Sequence, residues 1–111
     1  MEYCMILTTC SSTEGAGALA DRLIKEKLAA CVQLSPITSY YSWKNQLHRD
    51  AEIRLLIKTK TRLYESVERF IKQHHSYEVP QIVQIPITDG SDEYFDWIDE
   101  NTTGLNKETE Q

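Results

Sequence analysis

The alternation of apolar and polar residues is most regular between Cys31 and Thr59, and it predicts two long β-strands folded back on each other. The chain reverses at residues 44–46, where Asn45 tolerates the left-handed backbone that a tight turn requires. The returning arm is interrupted at Arg49 and carries its apolar side chains on one face: Leu47, Ala51, Ile53, Leu55 and Ile57. A period of two along the arm is typical of a half-buried strand.

The predicted hairpin is long compared with the rest of the protein. Each arm has roughly 13 residues, which span about 40 Å at about 3.3 Å per residue. A compact domain of this size has a diameter of about 34 Å. The hairpin is therefore predicted to extend beyond its own domain and to expose Tyr40, Tyr41 and Trp43, which favours packing against another copy of the chain. The alternative is that the arms are kinked and wrap around their own core.

Shorter elements flank the hairpin. An apolar run from Tyr3 to Thr9 predicts a buried strand, and Ser11 with Glu14 has the spacing of a capping box at the start of a helix. Beyond the hairpin, Thr61 is placed to cap a second helix that carries an apolar stripe. Each half of the chain thus contains a strand, a helix and a further strand.

The last predicted elements complete a known arrangement. Residues 81–87 read as a strand, and a short helix begins after Ser91. Pro86 and Pro36 cannot donate a backbone hydrogen bond. The strand of Pro86 is therefore predicted to lie at a sheet edge, and that of Pro36 either to lie at an edge or to bulge. The order strand, helix, strand, strand, helix, strand predicts an α+β, ferredoxin-like (split βαβ) antiparallel sheet with an extra C-terminal helix.

Length and composition exclude several classes of protein. A chain of 111 residues forms one domain, predicted over residues 1–100, and the polar residues 101–111 are predicted to be a disordered tail. A net charge of −5 argues against a partner that is a nucleic acid. The N-terminal stretch MEYCMILTT has no basic region before its apolar run, which is too short for export or for crossing a membrane. An odd count of three cysteines without an export signal predicts reduced thiols and a cytoplasmic location.

The predicted topology brings three potential metal ligands to one edge of the sheet. Strand 1 ends at the same edge as helix 2, which places Cys10 near His74 and His75. Thiolate and imidazole together suit copper or zinc, although the spacing matches no closed zinc site. The alternative is structural, since His74 continues the apolar stripe and a histidine in the last helical turn is favoured by the helix dipole. No motif of an enzyme is present, so no catalytic residue is predicted.

Several stretches of the chain, taken in order, resemble one family. These are KLAACVQLSP, SYYSWKNQL, AEIRLLIKT, HHSYEVPQI and EYFDWI. Together they cover most of the chain and are similar to the CutA family of divalent-cation tolerance proteins. The resemblance implies a cytosolic protein with the ferredoxin-like fold, assembled as a homotrimer through its long hairpins, with an architecture similar to that of the PII signalling proteins. It also implies a link to tolerance of copper and other divalent cations.

The resemblance also bears on the metal ligands. In bacterial relatives, a cysteine near the end of strand 1 and two adjacent histidines are the proposed copper ligands. His74 and His75 match the histidine pair, whereas the cysteine position falls on Thr8 and Cys10 lies two residues further on. Asn45 stands where the family usually has glycine, and Ser76 stands where proline often precedes the tyrosine.

Three functions follow as hypotheses. The first is a trimeric cation-tolerance protein that binds copper or a related divalent ion through Cys10, His74 and His75. The second is a PII-like sensor of small molecules, with a ligand in a cleft between subunits. The cleft residues of that hypothesis lie along the hairpin: Tyr40, Trp43, Lys44 and Glu52. The third is an anchoring protein, because eukaryotic relatives are linked to the anchoring of membrane enzymes.

Overall fold

The computed structural model describes residues 2–103, which form one sheet and three helices. The strands are β1 (Tyr3–Cys10), β2 (Cys31–Trp43), β3 (Gln46–Lys60) and β4 (Val83–Ile87). The helices are α1 (Thr13–Lys25), α2 (Tyr64–His74) and α3 (Asp92–Glu100). A 3₁₀ turn, Thr61–Leu63, precedes α2, so Thr61 opens this turn and the predicted cap of the helix by its side chain is wrong.

The sheet has the strand order β2-β3-β1-β4, and every neighbouring pair is antiparallel. This order confirms the predicted ferredoxin-like α+β fold, with the extra helix α3 at its C-terminal end. Pro36 lies in the edge strand β2, opposite Ile53, within a continuous register. Pro86 lies in the other edge strand, β4. Both prolines therefore occupy edges, where a missing N–H costs least, and no bulge is needed at Pro36.

The hairpin closes through a two-residue turn. Lys44 and Asn45 both have positive φ, 53° and 64°, and the strands resume pairing at Trp43 and Gln46. Two consecutive left-handed residues are the mark of a type I′ turn, whose twist matches that of the flanking strands. Asn45 therefore adopts the left-handed backbone predicted for it. Lys44 adopts the same conformation, which is uncommon for a lysine.

The hairpin extends well beyond the rest of the sheet. β1 pairs with β3 only as far as Ile53, which lies opposite Cys10. Beyond this point, residues 37–52 form a two-stranded segment, here called the ribbon. The molecule measures 49 × 27 × 24 Å and has a radius of gyration of 14.9 Å, against about 13 Å for a compact chain of this length. The predicted overhang is confirmed, and the alternative of arms wrapped around their own core is wrong.

The rest of the molecule, here called the body, packs α1 and α2 against one face of the sheet. The residues at the centre of this layer are fully buried: Ile6, Leu23, Leu55, Ile57, Val67 and Ile71. α1 is capped by Ser12, whose Oγ accepts a hydrogen bond from the N–H of Gly15 at 3.0 Å. The predicted capping residue, Ser11, is one position too early, because Ser12 is the last extended residue before the helix.

α3 is attached near the start of β1 and the end of β3. Tyr3 stacks on Phe95 with ring centroids 4.3 Å apart and donates a hydrogen bond to Asp99 at 2.7 Å. The chain after α3 is also held, since Thr102 is buried and the N–H of Thr103 donates to the carbonyl of Lys27 at 2.7 Å. The body therefore extends to residue 103 rather than 100. The remainder of the predicted tail, residues 104–111, lies outside the described residues.

Candidate functional site

Cys10 is the last residue of β1 and lies where the body gives way to the ribbon. Its partner across the sheet is Ile53, and only 8% of its surface is exposed. Alternate residues of β1 face the helices, so Cys10 shares the buried face with Thr8.

His75 reaches back from the end of α2 to the end of β1. The backbone turns extended at this residue, at φ −97° and ψ 144°, which ends the helix. The ring places Nε2 2.5 Å from the carbonyl oxygen of Thr9 and 4.0 Å from Sγ of Cys10. Nδ1 accepts a hydrogen bond from the N–H of Tyr77 at 3.1 Å. These partners assign the proton to Nε2, so both ring nitrogens are occupied in this state.

His74 does not join this contact. It is the last residue of α2, is exposed, and places Nδ1 2.9 Å from the carbonyl oxygen of Phe70. Since a carbonyl accepts, Nδ1 carries the proton and Nε2 is left able to accept or to bind an ion. Within residues 2–103, no three histidine, cysteine, aspartate or glutamate side chains are grouped closely enough to hold a metal ion. The fold thus brings Cys10 and His75 together and leaves His74 apart from them.

Glu52 and Tyr77 complete the surroundings of the thiol. The hydroxyl of Tyr77 donates to the carboxylate of Glu52 at 2.7 Å, and the Tyr77 ring lies 4.6 Å from that of His75. Glu52 is only 8% exposed even though it stands in the ribbon. Sequence reasoning missed Tyr77. Its only signal was its position in the loop directly after the histidine pair.

Burial and charge hold Cys10 in its protonated form. Burial, followed by the negative charge of Glu52, raises the pKa of the Cys10 thiol. The pKa of Tyr77 is also raised, first by burial and then by the hydrogen bond to Glu52. Because the thiolate is the form that binds metals and attacks electrophiles, Cys10 is a weak ligand and a weak nucleophile in this state.

The four residues predicted to line a cleft do not meet within one chain. Tyr40 and Trp43 point to opposite faces of the ribbon, because successive side chains of a strand alternate. Tyr40 is 65% exposed and accepts a hydrogen bond from Nε of Arg49, whereas Lys44 Nζ lies 5.8 Å from the centre of the Trp43 ring. Glu52 is at the base of the ribbon, beside Tyr77. A cleft between subunits stays a prediction.

The side chains at the end of β1 are of the types that bind copper, but only two of them lie together. A thiol and an imidazole are ligands that soft and borderline ions prefer. An ion on Nε2 of His75 would have to replace the hydrogen bond to Thr9, and the thiol would have to release its proton. Within one chain, Cys10 and His75 are the two potential ligands in contact.

Comparison with known proteins identifies the family. The sequence model of the family described as CutA1 divalent ion tolerance protein matches residues 4–101. The chain is 42% identical over 99 residues to the divalent-cation tolerance protein CutA of Thermus thermophilus, a match that covers 88% of this chain and 96% of that protein.

Two solved structures share the fold closely. CutA1 from Oryza sativa superimposes with a TM-score of 0.90 at 35% identity, covering 93% of this chain and 95% of the rice chain. The Archaeoglobus fulgidus protein, described as a periplasmic divalent cation tolerance protein CutA, gives 0.88 at 38% identity and covers 89% of this chain and 97% of its own. The protein belongs to the CutA1 family of divalent ion tolerance proteins.

Proposed function

We propose that this protein acts in divalent-cation tolerance as a cytosolic homotrimer that binds copper at Cys10 and His75, with His74 as a further ligand. The observation that carries the proposal is the distance of 4.0 Å between Sγ of Cys10 and Nε2 of His75. The two residues are 65 positions apart in the sequence, and the fold alone brings them together. The names of the Thermus and Archaeoglobus relatives support a role in cation tolerance and describe no catalysed reaction.

The apolar surface of the ribbon supports self-association. Two-stranded hairpins are marginal in water unless something covers them. The ribbon exposes large side chains in a single chain, namely Tyr40, Tyr41, Trp43 and Leu47. β2 and β4 also present open sheet edges, which a strand from a neighbouring subunit can extend. A trimer in which ribbons extend neighbouring sheets would cover both features.

The state of the cysteines supports a reducing compartment. Cys4, Cys10 and Cys31 are all free thiols, and free thiols persist in the cytosol, where disulfides are rare. No helix within residues 2–103 is long and apolar enough to span a membrane. Fractionation of cells that produce the protein, with detection by antibody, tests the location directly.

Copper titration tests the site. Cu(I) is added to the reduced, untagged protein in the presence of a competing chelator, and the affinity is compared among variants. We expect Cys10→Ser and His75→Ala each to weaken binding by at least about tenfold, because removing a ligand or its close support typically costs this much. His74→Ala is expected to weaken it less, since His74 lies apart from the other two residues.

The matched control is Cys31→Ser, which removes a thiol at the start of β2, opposite Lys58. It is expected to leave the affinity unchanged. Equal binding by the wild type, Cys10→Ser and His75→Ala would exclude this site.

A second candidate function is a PII-like sensor of small molecules. It is favoured by the aromatic and cationic side chains that the ribbon carries away from the body, above all Trp43 beneath Lys44 and Tyr40 beside Arg49. Such groups recognise planar or anionic ligands when a second surface encloses them. A thermal-shift screen of metabolites on the assembled protein tests this function, and a screen without a ligand that raises the melting temperature counts against it.

A further inference from the structure

We propose that residues 75–81 form a strap that closes over Cys10, and that the hydrogen bond from Tyr77 to Glu52 keeps it closed. Opening of the strap would then control when an ion or any other thiol-directed ligand reaches Cys10. The inference deepens the proposed function, because it concerns access to the same site. Access to the thiol can nevertheless be measured without copper.

Few bonds hold the strap. It joins the end of α2 to the region before β4, and Ile82 packs against the core at its far end. Within residues 2–103, two side chains make the hydrogen bonds between the strap and the rest of the molecule. His75 bonds to the carbonyl of Thr9, and Tyr77 bonds to Glu52. The other bond of the strap, from the N–H of Tyr77 to His75, is internal.

These two side chains lie in layers over the thiol. The imidazole of His75 is next to Sγ of Cys10, and the ring of Tyr77 packs on the imidazole. The hydroxyl of Tyr77 donates a hydrogen bond to Glu52 on β3 and so holds the Tyr77 ring against His75. Cys10 ends its strand at the limit of the body, yet it is only 8% exposed. Cys10 belongs to the core cluster between the sheet and the helices, and His75 of the strap covers it at the end of the strand.

The remainder of the strap contributes little to its own closure. Ser76, Glu78 and Val79 are all exposed. A segment with few buried apolar contacts and few backbone hydrogen bonds opens at a much lower free energy than the whole fold. Releasing the hydroxyl of Tyr77 should therefore open the strap and leave the body folded.

Cys4 provides an internal comparison for access. It is also buried, with no exposed surface, but it lies inside β1 between β3 and β4. Its side chain faces the core between the sheet and the helices, so only opening of the body exposes it. A change in access at Cys10 without a change at Cys4 is thus specific to the strap.

The experiment measures the rate at which each thiol reacts with the neutral disulfide 4,4′-dithiodipyridine. The reduced, metal-free protein is labelled for increasing times, and the modified cysteines are identified by mass spectrometry. We expect Tyr77→Phe to raise the labelling rate of Cys10 by about tenfold. This corresponds to a loss of about 1.4 kcal/mol in the free energy that favours the closed strap. Labelling follows the open fraction when the strap recloses faster than the reagent reacts. Cys4 should stay unreactive in both proteins.

Two further variants separate the strap from general stability. Glu52→Ala removes the acceptor and should raise the rate at Cys10 as Tyr77→Phe does, whereas Glu52→Gln keeps an acceptor and should raise it less. Tyr3→Phe deletes a tyrosine–carboxylate hydrogen bond of the same length at the far end of β1, and should leave Cys10 unchanged.

Three outcomes are decisive. Equal rates at Cys10 in the wild type, Tyr77→Phe and Glu52→Ala would overturn the proposal, and so would a joint rise at Cys4 and Cys10, which indicates unfolding of the body. A rise confined to Cys10 in a protein that does not bind copper would support the strap and contradict the proposed copper site.

Discussion

The body and the ribbon share one strand but differ in what covers it. Leu55 and Leu47 lie on the same face of β3, since they are separated by an even number of residues. Leu55 is fully buried beneath the helices, whereas Leu47 is 80% exposed. The alternation of apolar and polar residues therefore indicates which face of the strand is buried, but not which surface covers that face. In the body that surface belongs to the same chain, and in the ribbon we propose that it belongs to a neighbouring chain.

The largest effect is expected in the body. Leu55→Ala removes a side chain without exposed surface from the layer between sheet and helices. Such substitutions cost about 2–5 kcal/mol, because they lose buried area and leave a cavity. Denaturant unfolding followed by circular dichroism, at a fixed protein concentration, measures the loss.

Leu47→Ala is the matched control on the same face. Its side chain is 80% exposed in a single chain, so the loss within the chain should be about 0.5 kcal/mol or less. Any further loss should appear as weaker assembly in sedimentation. An equal loss for Leu47→Ala and Leu55→Ala that leaves assembly intact would contradict the contrast between body and ribbon.

The second effect concerns assembly through the ribbon. Trp43→Ala should weaken the association of subunits by at least about 30-fold, since an aromatic anchor at an interface is worth about 2 kcal/mol or more. The helical circular dichroism should be retained, because Trp43 lies outside the body. Analytical ultracentrifugation over a dilution series measures the change.

Trp97→Ala is the control for this prediction. Trp97 lies on α3 of the body and is 40% exposed, close to the 36% of Trp43. Removing it should leave the association nearly unchanged. Equal dissociation by both variants would show that exposed tryptophan in general, and not the ribbon, drives assembly.

Most of the fold was predictable because local patterns and pairing rules agree. The alternation in the hairpin, the turn at Asn45 and the prolines at the two edges all point to one strand order, and the sheet has that order. The helix starts were less predictable. Ser11 and Ser12 are chemically equal as caps, and only the extended backbone of Ser12 decides between them.

The site was predictable only in part. Topology predicted Cys10 near both His74 and His75, and the structure brings only His75 into contact with it. The separation of His74 from Cys10 depends on where α2 ends. His74 is the last helical residue, and its side chain bonds back to the helix, whereas His75 is extended and its side chain reaches β1. The tie between Tyr77 and Glu52 joins a loop to a strand 25 positions away, which no periodicity reveals.

A smaller effect should appear at alkaline pH. Burial, then the hydrogen bond to Asp99, raises the pKa of Tyr3 from 10.0 to about 12. The folded protein therefore keeps a proton that the unfolded chain loses, so stability falls as the pH rises from 10.0 toward about 12. Tyr3→Phe should lose less stability than the wild type over this interval, as measured by denaturant midpoints.

Tyr41 is the corresponding residue of the ribbon. It is also hydrogen-bonded to an aspartate, Asp50, and that bond rather than burial is the main cause of its raised pKa. Tyr41→Phe should therefore change the alkaline slope less than Tyr3→Phe. If stability falls equally with pH in the wild type and in Tyr3→Phe, the raised pKa of Tyr3 is not the cause of the alkaline loss.

The smallest effect is expected at the turn of the ribbon. Asn45 has a φ of 64°, and glycine is the residue most favoured at this position of a type I′ turn. Asn45→Gly should change the free energy of unfolding by no more than about 0.5 kcal/mol, because relief of backbone strain is offset by the entropy of the unfolded glycine. A loss well above this value would mean that the Asn45 side chain makes contacts in the assembly.

The mass of the reduced, untagged protein in solution shows whether neighbouring subunits cover the ribbon, which extends beyond its own body. Sedimentation equilibrium at micromolar concentration should give about three times the chain mass of 12.9 kDa. A mass of 12.9 kDa, with the ribbon intact by circular dichroism, would mean that the ribbon is stable without a neighbouring subunit.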